Sequence, residues 1–492
     1  MEKIKRPSAK VNYIYNISYQ LFAIIVPLIT TPYISRVLGA EGVGVYSYTY
    51  SIVNYFLIFA VLGTAVYGTK RIGTFQDNRR ERNKEFWEIF ILRIILTIIM
   101  IIIYYIYVVT LAENKFIAAI QGIYLLGTGL DISWFFQGIE DFKKITIRNL
   151  IIKVINVIYV FTFVKTADDL WKYILGLAVF TVLGSLVMWA NISKYIDFVK
   201  IKGLKPFKDF KQVLELFLPT IATQLFAIID KTMIGTFSSD SKENGYYEQA
   251  YKIVTMSLII ITTLGTVLVP RIAKAFADKN IKDIKMYLRK SYKFVWLLGV
   301  PMLIGIVGII DVFVPVFLGD NFEKVKIILP ILSLLYIPMG MNYMTGRQYM
   351  IPTDQQNKYN KLLLIGGIIN VIVNFILIPK FFAIGAAIGS VSGELCILYL
   401  SMRYLKKTNQ YSGKGFLKDI YKYLISGIVM LIVLLMVKEI IKYNLLGLLI
   451  LLLVGIIVYA SMLILLREEI VIEQLNNIKN KFSNFKNKIS KT

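Results

Sequence analysis

Lys231 and Lys252 stand on either side of a short polar turn, SSDSKENG, in a segment that is otherwise mostly apolar from Pro219 to Pro270, and Asp230 and Glu248 accompany them. A charge near the centre of a bilayer costs about 2.5 to 3.5 kcal/mol on insertion scales, so such residues face a bundle interior or a wet cavity and pair with one another. The chemistry within reach is electrostatic: ammonium groups that hold an anion, and carboxylates that balance them or titrate during ion coupling. Gln224 and Lys231 are seven residues apart on one helical face, and Asp230 is rotated by about 100° from Lys231. Glu248 and Lys252, at i and i+4, can pair directly.

Other apolar runs carry similar interruptions. Arg36 (close to Glu41) and Arg347 lie near run ends, Arg93 sits about two turns into its run, Asp131 precedes Trp134 and Gln137, and Glu394 is midway along its run. Arg36, Arg93, Lys231, Lys252 and Arg347 are thus candidate substrate ligands, and Asp131, Asp230, Glu248 and Glu394 candidate coupling or charge-balancing groups. Each also has a plain structural alternative, an interhelical ion pair or a snorkelling side chain. Tyr13, Asn16, Tyr19, Gln20, Tyr46, Tyr50, Tyr247, Tyr251, Asn342 and Tyr343 have the chemistry to contact sugar hydroxyls, or to populate interfacial belts. For a cationic lumen the natural solute is an anion, and a phosphate or pyrophosphate is the commonest anionic handle on a membrane-borne substrate.

Composition narrows the class. Of 492 residues, 57% are apolar, and runs long enough to cross roughly 30 Å of hydrocarbon recur along the whole chain. There is no histidine and one cysteine, Cys396, which excludes His-based acid/base work, His-ligated metal and a disulfide framework. The net charge of +25 resides in the loops between apolar runs, so it reflects membrane topology and not nucleic-acid binding. No GxxxxGK[ST] phosphate loop is present, and the first apolar run lacks a small-residue cleavage site.

The positions predict an all-α polytopic membrane protein with fourteen spans, at about 11–35, 44–69, 86–110, 115–139, 146–166, 170–193, 213–237, 245–270, 292–317, 325–348, 361–380, 383–404, 421–440 and 444–466. With the N-terminus inside, about 43 Lys and Arg fall in inside segments and about 10 outside, which places both termini in the cytoplasm. Gly44-Val45-Tyr46 with Tyr50, Ile52 and Val53 matches Gly245-Tyr246-Tyr247 with Tyr251, Ile253 and Val254, and Leu62-Gly63-Thr64 recurs as Leu264-Gly265-Thr266. An offset of about 200 residues, six spans, makes spans 1–6 and 7–12 parallel repeats, with the substrate site between them. The domains follow: residues 1–200 and 201–412 as two lobes, 413–466 as an appended helix pair, 467–492 as a basic tail. Pro27 and Pro32 interrupt span 1 and Pro219 span 7. Phe276, Ile281, Ile284 and Leu288, and in the tail Leu475, Ile478, Phe482, Phe485 and Ile489, read as amphipathic helices on an anionic leaflet.

Four stretches carry a family resemblance: PYISRVLGAEGVGVYSY, DISWFFQGIEDFKKITIRN, DKTMIGTF…ENGYYEQAYKIV…LGTVLVPR, and NVIVNFILIPKFFAIGAAIGSVSGE. The chain resembles Wzx-type polysaccharide flippases, the polysaccharide-transporter branch of the MOP superfamily. The resemblance implies two six-helix lobes in a V around a cationic cavity, helices 13 and 14 appended, and a bacterial plasma-membrane location. It implies translocation of undecaprenyl-pyrophosphate-linked oligosaccharide from inner to outer leaflet for capsule, exopolysaccharide or O-antigen assembly, alongside membrane lipids and other polysaccharide assembly proteins. It implies no bound cofactor, and coupling to a proton or sodium gradient. The rivals are a lipid II flippase, a multidrug exporter of the same superfamily, and a membrane polymerase or ligase. Against the enzyme, no outer loop is expected to exceed about ten residues.

Overall fold

The computed structural model describes residues 9–190, 192–197, 203–407 and 414–477, with no side chain described at 9–21, 23, 218–227, 264–267 or 414–418. The side chains of Tyr13, Asn16, Tyr19, Gln20, Pro219 and Gln224, the motif Leu264-Gly265-Thr266 and the tail positions Ile478, Phe482, Phe485 and Ile489 therefore lie outside the described residues. Among the described residues there is no strand. In chain order the helices are α1 (Ala9–Val61), α2 (Thr64–Thr74), α3 (Arg79–Thr110), α4 (Lys115–Gln121), α5 (Ile123–Leu130), α6 (Ser133–Gly138), α7 (Phe142–Phe163), α8 (Leu170–Trp189), α9 (Phe210–Phe237), α10 (Lys242–Ala277), α11 (Ile281–Phe317), α12 (Val325–Ser333), α13 (Tyr336–Tyr343), α14 (Gln356–Phe381), α15 (Ala383–Lys407), α16 (Lys414–Lys438) and α17 (Leu445–Leu465). A π-helical turn, Met344–Met350, follows α13. Among the described residues eleven helices are long and apolar enough to cross a bilayer, or twelve with α10, which bends by 48° between Thr263 and Leu268.

Two compact units divide the chain: Met1–Gln249 with Asn370–Gly389, and Ala250–Ile369 with Ser390–Thr492. In the first, the expected loop between spans 1 and 2 is replaced by helix on both sides of one residue, Gly39, whose φ of 66° only glycine adopts readily. The reason is packing: Leu38, Ala40 and Val43 are buried and hold the segment in. The second arm of α1 ends where Leu62 and Gly63 turn left-handed (φ 40° and 76°), so the second span is also interrupted. A Cβ on Gly63 would lie 2.7 Å from the Val213 carbonyl oxygen, so α9 crosses there backbone to backbone.

The expected fourth span is three pieces, α4 to α6, and its second break explains a buried charge. Where α5 stops at Asp131, the carbonyls of its last turn lose their helical partners, which hydrocarbon does not replace. Neighbouring side chains supply the missing bonds. Ser185 Oγ donates to the Gly127 oxygen at 2.8 Å, Arg93 donates from Nε (3.0 Å) and Nη2 (2.5 Å) to the Thr128 oxygen, and Trp189 Nε1 donates to the Leu130 oxygen at 2.8 Å. Asp131 itself accepts from Ser133 Oγ at 2.6 Å and lies 3.6 Å from the Arg148 guanidinium. Below the break an aromatic core gathers Tyr67, Phe86, Trp134, Phe135 and Phe136.

The segment before α9 is pinned to α3. Lys208 Nζ meets Glu85 at 2.8 Å and also pairs with Glu88, Arg71 reaches Glu85 at 2.5 Å, and Arg79 grips Asp197 at 2.6 Å. The Arg79 hydrogen bond, helped by Asn83, holds the Asp197 carboxyl below its usual range. Its folded pKa lies below the unfolded one, so that contribution is present at neutral pH and fades as pH falls toward the folded value.

In the second unit, α16 and α17 lie on α11 through Val300, Ile309 and Val312 against Met430, Leu434, Leu448 and Leu451. Between helices lipid offers no hydrophobic driving force, so close packing and polar contacts hold such a pair. Lys293 meets Asp419 at 2.5 Å and Glu469 at 2.6 Å toward one end of α11, and Asp311 meets Lys438 at 2.7 Å toward the other. Of the first amphipathic set, Ile284 and Leu288 are buried in the protein, while Phe276 and Ile281 are exposed.

Arg93→Ala removes both guanidinium donors from the Thr128 carbonyl and leaves it only the long Asp131 N–H bond of 3.4 Å at a membrane break, a loss of about 1–3 kcal/mol. The expected outcome is a lower melting temperature in detergent and less protein in the membrane, partly recovered by Arg93→Lys.

Candidate functional site

Three helix ends in the first unit meet along one stripe. On the second arm of α1, Gly44, Ser47, Tyr48, Ser51 and Tyr55 recur at spacings of three and four and so share a face. Opposite them stand Lys231, Thr232 and Gly235 of α9 and the turn that starts α10. The backbones touch: a Cβ on Gly44 would sit 1.8 Å from the Ser241 oxygen, and one on Gly245 2.0 Å from the Ala40 oxygen. Gly235 is covered by the Tyr48 ring, with 2.1 Å of room for a Cβ. Glycine at these positions is a steric requirement.

Polar bonds cross the same stripe. Lys231 Nζ meets Glu248 Oε2 at 2.6 Å, and Ser47 Oγ donates to that same oxygen at 2.9 Å. Ser51 and Thr232 hydroxyls are 2.9 Å apart, and the Tyr55 hydroxyl donates to Thr232 Oγ1 at 3.0 Å. Beside this seam Tyr46 stacks on Tyr50 at 5.4 Å and meets Tyr173 at 5.4 Å, and Tyr124 closes on Tyr50 at 5.3 Å. Lys231 and Glu248 both bear electrostatically on Tyr50, so the ion pair adjoins this aromatic group.

Asp230, adjacent in sequence to Lys231, faces elsewhere. The turn of about 100° per residue separates them. Asp230, 2% exposed, accepts from Tyr247 Oη at 2.5 Å, Asn374 Nδ2 at 2.5 Å and Asn370 Nδ2 at 3.1 Å. Gly389 admits this arrangement, because a Cβ there would overlap Asn374 Oδ1 at 1.9 Å. Tyr247, Asn370 and Asn374 had not been singled out as partners for Asp230. The available signal was two asparagines at i and i+4 inside the apolar run NVIVNFILIP.

Each remaining candidate has its own local setting. The Glu248 carboxylate engages Lys231, and Lys252 lies half-buried one turn further along α10. Arg36 is exposed on the first arm of α1, donating to the Pro32 oxygen at 3.4 Å. Arg93 and Asp131 occupy the α5 break. Glu394 accepts from Asn342 Nδ2 at 2.7 Å, which uses one of the amides named above for sugar contact. Arg347 is the exposed residue of an otherwise buried π-helical turn, and the Tyr359 ring packs against Gly346 beside it. Among the described residues no three His, Cys, Asp or Glu side chains converge to hold a metal.

Apolar helices crossed by a polar seam, with charges paired and aromatic hydroxyls alongside, are the build of a multi-pass membrane transporter. The chain belongs to the Polysaccharide biosynthesis protein family, which matches residues 9–276. It is 23% identical over 404 residues to a protein of Escherichia coli (strain K12) named as an O-antigen transporter, covering 81% of this chain and 97% of that one. A second relative, named as the low-salt glycan biosynthesis flippase Agl15 of Haloferax volcanii, is 23% identical over 38% of this chain and 39% of its own. Among solved structures, the lipid II flippase MurJ in an inward closed conformation aligns with a TM-score of 0.71 at 16% identity, covering 94% of this chain and 100% of that one. A MATE family multidrug transporter of the MOP superfamily in an inward-facing conformation aligns at 0.60 and 14% identity, covering 78% and 98%. At these identities the likeness shows the fold alone, one shared with both of these proteins.

Breaking the Lys231–Glu248 pair on one side leaves a half-buried charge without its partner. Glu248→Gln and Lys231→Met are each expected to lower the melting temperature of the purified protein, and the exchange Lys231→Glu with Glu248→Lys to recover most of the loss. Additive losses in the exchanged protein would show that the two side chains do not act as a pair.

Proposed function

We propose that the protein is a flippase that carries undecaprenyl-pyrophosphate-linked oligosaccharide units from the inner to the outer leaflet, for capsule, exopolysaccharide or O-antigen assembly. Family membership and the nearly full-length relative named as an O-antigen transporter support the substrate class over lipid II and over drugs. The observation that carries the mechanism is the seam. Ser47 and Glu248, hydrogen-bonded to each other, are 201 positions apart, the same spacing as Gly44 and Gly245. Contacts between residues of equal repeat register favour parallel repeats that meet near a common axis, the arrangement alternating access needs. The breaks favour it as well: Leu62-Gly63 turns left-handed, and α10 bends by 48° between Thr263 and Leu268.

Fourteen spans follow if the Ile24–Thr74 run is two spans meeting at Gly39 and α9 is a further one. Loop charge then puts both termini in the cytoplasm of a bacterial plasma membrane, and the seam on the outer side. In this reading residues 1–200 and 201–412 are the lobes, 413–466 the appended pair and 467–492 the tail. Lys231 and Lys252 hold the anionic head group, with Arg36, Arg93 and Arg347 as further cations. Glu248 balances Lys231 while the seam is closed, and Asp230 couples transport to a proton or sodium gradient, with Asp131 and Glu394 as further balancing groups. Other polysaccharide assembly proteins receive the unit on the outer side.

Deletion of the gene is expected to leave complete lipid-linked units on the inner leaflet, read by leaflet-resolved analysis of labelled glycolipid. Failure to synthesise the units would instead indicate an enzyme. Lys231→Ala and Lys252→Ala are expected to lower export of the glycan severalfold at equal protein abundance, and wild-type export by both would remove the cationic path.

A further inference from the structure

A cleft of about 540 Å³ opens beside the seam, in the first unit. Tyr48, Tyr107 and Phe116 supply its aromatic walls, Glu113 and Lys115 stand on the turn between α3 and α4, and Ser241 borders it from the start of α10. The volume falls within the range of small-ligand sites, about 300–1,000 Å³. Its chemistry is unusual for a bare helix end. The Phe116 ring is 62% exposed and borders the cleft, and the Glu113 charge is felt by both phenols. Among the described residues neither Glu113 nor Lys115 has a hydrogen bond or ion pair, whereas Asn114 between them caps α4 by accepting from the Ile117 amide at 3.1 Å. The capping residue thus serves the fold, and its two charged neighbours keep their full donor and acceptor capacity.

Aromatic faces bordered by one acceptor carboxylate and one donor ammonium match a polyhydroxylated ring: C–H faces lie on the aromatic rings, and hydroxyls bridge the two charges. A pyrophosphate is a poor match, because Glu113 opposes its charge and Lys115 is the lone cation among the lining residues. The cleft is also mechanically tied to the seam. Tyr48 covers Gly235, and the Ser241 carbonyl is the atom nearest the Gly44 Cα hydrogens, so one wall is built from the residues whose contact closes the helix ends. Parting that contact reshapes the cleft.

We infer that this cleft is a carbohydrate subsite on the outer face, taking one or two sugar rings of the glycan as it leaves past the seam. The inference rests on the flippase reading and its orientation, and adds a binding step for the sugar portion, apart from the lysines that hold the head group. Trp171, whose ring lies 6.4 Å from Phe116, is a native reporter.

The test uses the full chain in nanodiscs of zwitterionic lipid, with free oligosaccharide released by mild acid from the producing cells' own lipid carrier as the probe. Saturation-transfer NMR is expected to show saturable binding, with a change in tryptophan emission that Trp171→Phe abolishes. Glu113→Gln and Phe116→Ala, both at exposed positions, are expected to weaken binding about tenfold with unchanged melting temperature, while Glu323→Gln, at a different loop, binds as wild type. No binding by the wild-type protein, or binding untouched by both cleft variants, overturns the subsite. If that happens while deletion still traps units on the inner leaflet, the flippase stands without it. If deletion leaves the leaflet distribution unchanged, the flippase reading falls, and the exit role with it.

Discussion

Hydrocarbon supplies no hydrogen bonds, so each interruption of a membrane helix must find its partners within the protein. That constraint explains more of this chain than hydropathy does. The break before Asp131 frees carbonyls at Gly127, Thr128 and Leu130, and a serine, an arginine and a tryptophan from α8 and α3 converge on them. The arginine is the costly one to place in a membrane, and each of the three has one polar end aimed at a specific oxygen. At the left-handed pair Leu62-Gly63 the absence of a side chain lets α9 pass close to the backbone, and the break keeps the local bonds from Leu62 N–H to the Ile58 oxygen and from Tyr67 N–H to the Gly63 oxygen.

The same economy sorts the charges. Lys231 and Asp230 are neighbours in sequence, yet the pitch of one helix sends them to different surroundings. Lys231 reaches a carboxylate and an aromatic group at the seam, whereas Asp230 meets a tyrosine and two asparagines. One therefore sits in an ion pair, while the other accepts hydrogen bonds from a phenol and two amides. Two different surroundings are reached by a single step along the chain.

How much of this was legible beforehand depended on distance along the sequence. The apolar helices follow from local composition, and the close approach of Gly44 and Gly245 to their neighbours falls where the sequence has matching words. The pairing of Lys231 with Glu248, seventeen positions away and across a turn, was not legible, because the i and i+4 neighbour Lys252 offered a simpler local partner. Arg93 read as a candidate ligand because its oxygen partner belongs to a helix break, and nothing in DISWFFQG beyond the aspartate announces one. The segment expected as a loop between residues 35 and 44 is instead helical on both sides of Gly39, because Leu38 and Val43 are buried in the core. Sequence shows which residues are expensive in lipid, and only the tertiary structure shows what each one touches.

The appended pair α16 and α17 is fastened to α11 toward both ends, by Lys293 with Asp419 and by Asp311 with Lys438. A helix pair tethered at a single point can swing aside like a door. Tethered at two, it can only travel with the helix it is fixed to, as a keel travels with its hull. The three helices therefore meet the surrounding lipid as one slab, and a displacement of any one of them is a displacement of all three.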